Sequence, residues 1–237
     1  MKPNNPFLIS GYYSPEYFCN REQETQTITD ALYNGRNLTL IAPRRMGKTG
    51  LIKHVFHRLK EQQADIVTLY MDIYSTQNLG DFVRLLANTV LGQLDSAPQK
   101  ALSRVSQFIK SCRPVFTFDE LTGVPKVIIE IAPAAEETTL KEIFDYLKSS
   151  DKRCYIAIDE FQQIAEFKDS KTFQKRLRSI WQLQKSVSYC LFGSKKHLMN
   201  ELFEKRSLPF YKFGDAIYLT KIGTADWVDY ICGRFEA

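Results

Sequence analysis

The chain has 237 residues, of which 44% are hydrophobic and 25% charged, with a formal net charge of +5; this is ordinary globular composition, best served by one α/β core. The mild positive charge permits an acidic or nucleic-acid partner without arguing for one. No apolar run approaches the roughly 20 residues needed to span a bilayer, and the first ten residues lack the basic start and apolar core of a secretory signal, so a cytoplasmic protein with no membrane partner is expected.

In chain order, RNLTLIA (36–42) is a short β-rich run after Asn34-Gly35 and reads as a strand buried on both faces. It runs into APRRMGKTG (42–50) and then into KTGLIKHVFHRLKEQQ, where Leu51, Ile52, Val55, Phe56 and Leu59 recur at helical spacing. Strand, loop and helix in that order are what G-x-x-x-x-G-K-[ST] needs, because backbone N–H groups and the helix N-terminus together hold phosphates. The candidate nucleotide-binding residues are Ala42, Pro43, Arg44, Arg45, Met46, Gly47, Lys48, Thr49 and Gly50. Lys48 reaches the β- and γ-phosphates, the Thr49 hydroxyl binds Mg²⁺, and Gly47 lets the backbone approach the phosphates. Ala42 stands where the pattern has its first glycine, which is tolerable if its φ is negative. Arg44 and Arg45 have three readings: contact with phosphate, pairing with acids from a lid or neighbouring subunit, or solvation on a loop.

Residues 64–75 (ADIVTLYMDIYS) read as a second strand, followed by a helix over about 79–94 bearing Phe82, Leu85, Leu86, Val90 and Leu94, and a further helix around 97–111. VFTFDELTGVPKVIIEI (115–131) has two β-rich runs around Asp119, Gly123 and Pro125, and predicts an inserted hairpin. Alternation then resumes with a helix over 138–150, an apolar strand from 153, a helix over 171–186, a strand over 187–194, a helix over 195–205 and a last strand over 214–222. Five strands with helical crossovers predict a parallel, doubly wound sheet.

The third core strand, YIAIDE (155–160), delivers two acids to the sheet edge beside the phosphate loop. Asp159 is the second Mg²⁺ candidate, and Glu160 the group that polarises the attacking water. Ser194, at the end of the next strand, can sit between those acids and the γ-phosphate; a strand-to-helix cap is the plain alternative. The five cysteines are scattered and read as reduced, mostly buried thiols. His54 and His57, three apart on one helix, read as a solvated face, with a metal clamp as the alternative.

FCNREQE (18–24), APRRMGKT, YIAIDEFQQI, YCLFGS and SLPFYKFGDAIYL (207–219) occur in an order that resembles the archaeal-type ATPases of the AAA+/STAND branch of P-loop NTPases, over residues 7–222. The resemblance implies a three-layer sandwich with core strand order 5-1-4-3-2 and ATP as the nucleotide. It also implies that the aromatic segment containing Arg21 flanks adenine, a plain helix cap being the alternative. Where relatives carry an arginine after a Pro-aromatic pair, this chain has Lys212, with Arg206 earlier. Relatives continue into a helical lid and a winged helix, so residues 1–222 are expected to form the nucleotide domain and 223–237 the start of a truncated lid.

Three functions follow as expectations. The first is a Mg²⁺-dependent ATPase whose nucleotide state, ATP or ADP, moves a lid, a protein partner or a second copy of the chain. The second is an ATP-dependent DNA-associated module, supported locally only by the basic runs KTFQKRLRSIWQLQK and GSKKH. The third is a nucleotide-binding scaffold with little hydrolysis. A kinase is disfavoured by the lack of an acceptor-site signature, and a GTPase by the lack of N-K-x-D.

Overall fold

A computed structural model describes residues 5, 7, 11–94, 110–118, 125–132, 134–150 and 152–235. The strands are β1 (Leu38–Ile41), β2 (Ile66–Asp72), β3 (Cys112–Phe118), β4 (Pro125–Ile131), β5 (Arg153–Asp159), β6 (Val187–Gly193) and β7 (Asp215–Tyr218). The helices are α1 (Glu22–Tyr33), α2 (Lys48–Gln62), α3 (Leu79–Leu94), α4 (Glu136–Ser149), α5 (Ser170–Trp181), α6 (Lys196–Glu204) and α7 (Thr224–Phe235). The helix expected around 97–111 and the turn at Asp119 and Gly123 lie outside the described residues, apart from Lys110 and Ser111.

Five strands form one sheet in the order β2-β5-β6-β1-β7, all pairs parallel. Numbering the core strands alone, this reads 5-1-4-3-2 from the β7 edge. Every residue of β1 and β6 is buried, because helices cover both faces of a parallel sheet and leave no wet side for a polar alternation. Successive side chains therefore feed two cores. Tyr155, Ala157, Cys190 and Phe192 join Ile28 and Leu32 of α1 and Leu51, Ile52 and Val55 of α2. Ile156, Ile158, Tyr189 and Leu191 join residues of α3, α4, α5 and α6 on the other face. The result is the three-layer sandwich.

β3 and β4 form a separate antiparallel pair. Its register runs from Cys112 opposite Ile131 to Phe118 opposite Pro125, so the inserted hairpin starts three residues before the expected 115. It is fastened where Ile129 N–H donates to Asn88 Oδ1 of α3 (3.0 Å) and where the Ser111 hydroxyl meets Thr139 of α4 (2.7 Å).

The helix expected over 171–186 ends at Trp181. Leu183 N–H and Gln184 N–H bond back to the carbonyls of Ile180 and Trp181 in tight three-residue steps (both 3.1 Å). The Trp181 ring stacks on Tyr189 of β6 at 4.2 Å and 17°, and that tertiary contact turns the chain sooner than its helical periodicity suggests. The sequence reading also did not mark α1 as a full helix. Its signal is the i, i+3, i+4 spacing of Ile28, Ala31 and Leu32, all buried.

Gly214 leads into β7 where the chain presses on the start of β1. A methyl added there would lie 2.6 Å from the Asn37 carbonyl carbon and oxygen. Gly214→Ala is expected to lower stability by about 1–3 kcal/mol, the usual cost of overpacking, read as a lower urea midpoint at unchanged slope. A midpoint equal to wild type would show that the approach is soft.

Candidate functional site

The chemistry-bearing residues gather at the C-terminal ends of the parallel strands, where open α/β sheets place their ligands. β1 ends at Ile41, and residues 42–47 turn into α2, which begins at Lys48. Gly47 is left-handed (φ 79°) and so is Arg45 (φ 63°), whereas Ala42 is not among the residues with positive φ. The turn out of the strand thus asks nothing of Ala42 that alanine lacks. The Lys48 side chain curls back over the loop and donates to the carbonyls of Ala42 (3.0 Å) and Pro43 (2.9 Å). Burial lowers its pKa, opposed by the charges of Glu160 and Asp159 and aided by Arg44.

One residue into α2, Thr49 Oγ1 donates to Asp159 Oδ2 at 2.7 Å, joining positions 110 residues apart. The same oxygen accepts from Tyr70 Oη of β2 at 3.0 Å, and Asp159 Oδ1 accepts the Glu160 N–H at 2.9 Å. Burial raises the Asp159 pKa, while these three donors pull it down. Burial also raises the Tyr70 pKa, with the Asp159 charge second, so the phenol stays a donor. Tyr70 was missed in the sequence. Its signal is a hydroxyl inside a buried strand, which must find a partner.

Glu160 follows in a left-handed conformation (φ 52°) and starts a 3-10 helix over Phe161–Glu166. Such a conformation costs a non-glycine residue about 1–3 kcal/mol. It swings the carboxylate away from Asp159 and toward β6, where Ser194 Oγ donates to Glu160 Oε2 at 2.9 Å. The side-chain amide of Gln162 donates to the same oxygen. Lys48, Thr49, Asp159, Glu160 and Ser194 are therefore one constellation.

The remaining sequence candidates are placed differently. Arg44 and Arg45 are exposed and make no ion pair or hydrogen bond among the described residues. Gly50 lies beneath Phe18, whose ring edge is 3.7 Å from where a methyl would stand. Arg21 is 6% exposed and is tied into the chain. Its guanidinium donates to Glu24 (2.6 Å), to the Met46 carbonyl in the phosphate loop (3.4 Å) and to the Thr220 carbonyl just after β7 (2.7 Å). Arg21 thus braces the loop, with its hydrogen-bonding capacity turned to the chain. Lys212 lies over the Tyr211 ring at 5.6 Å.

His54 is not on a solvated face. It stacks on Phe18 at 4.2 Å and bonds to Tyr12 Oη at 3.1 Å, while His57 pairs with Glu61 at 3.2 Å. Among the described residues no group of three His, Cys, Asp or Glu could hold a metal ion. The five cysteines are free thiols; Cys112, Cys154 and Cys190 are buried and Cys232 is exposed. In the two basic runs, Arg176 pairs with Glu137 and Lys195 with Glu166 at the surface, and Arg178 lies over the Phe213 ring. No helix among the described residues is long and apolar enough to cross a membrane.

A parallel sheet in this order, with a lysine-bearing loop between β1 and α2 and acids at the end of β5, defines a P-loop NTPase. The family described as "ATPase domain predominantly from Archaea" matches residues 18–210, and the chain belongs to it. Comparison with curated proteins yields no match. Among solved structures, the chain is similar to a Walker-type ATPase of Pyrococcus abyssi, with TM-score 0.66 and 16% identity over 98% of this chain and 62% of that one. It is similar to the ORC2 protein of Aeropyrum pernix in its ADPNP-ADP complexes, with TM-score 0.63 and 15% identity over 94% of this chain and 53% of that one. A third likeness is to the ORC1 protein of Aeropyrum pernix in complex with DNA, with TM-score 0.58 and 14% identity over 94% and 52%. At these identities the likeness is one of fold. The chain spans between half and two thirds of the length of these structures.

Proposed function

We propose that the chain binds ATP with Mg²⁺ and hydrolyses it, and that the nucleotide state acts on the segment after β7. The observation that carries this reading is the 2.7 Å bond between Thr49 Oγ1 and Asp159 Oδ2, with Glu160 held one residue further on. The loop hydroxyl and the strand-end carboxylate are hard oxygen donors set together, which suits Mg²⁺; that ion is normally held by one or two carboxylates, waters and substrate phosphates, not by an all-protein cage. Thr49 and Asp159 would hold it, and when bound it neutralises charge on the β- and γ-phosphate oxygens.

The chain's own groups do the rest. The loop N–H groups and the start of α2 take the phosphates. Lys48 exchanges the carbonyls of Ala42 and Pro43 for the β- and γ-phosphate oxygens. Glu160 orients the attacking water and accepts its proton. Ser194, already on Glu160 Oε2, lies where a hydroxyl can report the γ-phosphate to the carboxylate. Arg21 supports the switch part of the reading, because one guanidinium holds both Met46 of the loop and Thr220 at the root of α7. A loop shift on nucleotide binding must stretch one of those bonds or carry Thr220 with it. On this reading residues 1–222 form the nucleotide domain and α7 belongs to a lid.

The test is phosphate release by the purified chain with ATP and Mg²⁺, with ATP and excess EDTA, and with GTP. Release from Mg·ATP that falls to background in EDTA is expected. Release unaffected by EDTA refutes the metal assignment, and tight ATP binding with no release turns the reading to a scaffold.

A further inference from the structure

Glu160 is held by more than the serine foreseen in the sequence. Gln162 is 1% exposed, and its side-chain Nε2 donates to Glu160 Oε2, the oxygen that also accepts from Ser194 Oγ. Both donors meet one oxygen of the carboxylate. Among the described residues no hydrogen bond to Glu160 Oε1 occurs. The amide comes from the first turn of the 3-10 helix that Glu160 itself begins, so the brace and the braced group lie two residues apart on one rigid element.

Room for the amide is made by the neighbouring strand. A methyl on Gly193, the last residue of β6, would fall 1.8 Å from Gln162 Oε1 and 3.0 Å from its Cδ. No side chain other than hydrogen fits at Gly193 while Gln162 keeps this position. Gln162 Oε1 is itself buried without a hydrogen-bond partner. Burying that acceptor unpaired is unfavourable, so the amide is placed by what its nitrogen holds and not by a need to satisfy both of its ends.

We propose that Gln162 is a positioning residue for hydrolysis: with Ser194 it pins Oε2 of Glu160, leaving Oε1 turned to the water that attacks the γ-phosphate. This rests on the ATPase reading given above. A base whose carboxylate rotates freely spends part of its time misaligned, and small misplacements of a reacting group lower rate without lowering affinity.

The experiment compares wild type, Gln162→Met, which keeps length and loses the donor, and Gly193→Ala, which displaces the amide from the opposite side. kcat is expected to fall about tenfold or more in both, with KM and ATP affinity within about twofold of wild type. A second readout needs no nucleotide. The Gln162 side-chain NH₂ protons, assigned in the wild-type protein by through-bond correlation to the Gln162 backbone, should exchange slowly with solvent and shift on Glu160→Ala. If Gln162→Met fails to fold, Gly193→Ala and the NH₂ protons of the wild-type protein decide. An unchanged kcat in a folded variant, a KM change without a kcat change, or NH₂ protons indifferent to Glu160→Ala overturns the proposal. If the wild-type chain releases no phosphate from Mg·ATP, the ATPase reading beneath it is what has failed; if wild type turns over and Glu160→Gln is inactive while Gln162→Met is unimpaired, only the role of Gln162 has.

Discussion

Glu160→Gln is expected to bind Mg·ATP as wild type does and to hydrolyse it about 10²–10⁴-fold more slowly, the usual contribution of a positioned general base. Glutamine has the length of glutamate, and its amide oxygen can still accept from Ser194 and Gln162, so the packing at the end of β6 survives. What goes is the negative charge and the ability to take a proton from water. Affinity should hold because Lys48, Thr49 and the loop N–H groups are untouched. Single-turnover phosphate release beside a fluorescent-nucleotide titration separates the two quantities. A variant with wild-type turnover would remove Glu160 from the mechanism and assign the activation of water to another group.

Lys48→Met strikes both quantities. Its ammonium bonds two loop carbonyls and stands within the influence of Glu160 and Asp159, so removing it takes a cation from the phosphates and a brace from the loop. Loss of one such preorganised donor costs about 10²–10³ in turnover, and ATP affinity should fall as well, since in the proposed mechanism the lysine meets the phosphates before and during reaction. The titration that leaves Glu160→Gln unchanged should therefore shift strongly for Lys48→Met. Full ATP affinity in the lysine variant would mean that Arg44 or Arg45 carries the phosphate charge.

What the sequence disclosed and what it hid divide along physical lines. The five-strand sheet was legible because its inner strands are buried on both faces and so read as unbroken apolar runs. YIAIDE was legible because two acids closing such a run have to emerge at the sheet edge, and the structure sets Asp159 against Thr49 there. Ser194 was legible by the same logic, one strand along. Contacts made by shape were not legible. Gln162 looks like any polar residue on a helix until Gly193 is seen to make space for it. Arg21 and Thr220 lie 199 residues apart, and nothing local marks that partnership. The early end of α5 depends on Trp181 finding Tyr189 across the core, and the half-buried, stacked setting of His54 depends on Phe18 folding over it.

The alanine that opens the phosphate loop bears on the unfolded chain as much as on the folded one. Ala42 is 1% exposed, and its methyl lies in the core shared by Leu40, Leu51 and Phe192, while the left-handed positions of the loop fall at Arg45 and Gly47. A glycine at 42 would give the folded loop no conformation that it uses. It would give the denatured chain a wider range of φ and ψ, worth about 0.4–1 kcal/mol against folding. The substitution that makes the motif look imperfect thus reduces the entropy lost when the loop is formed, and it does so at a residue that lends the phosphates no side chain in either version.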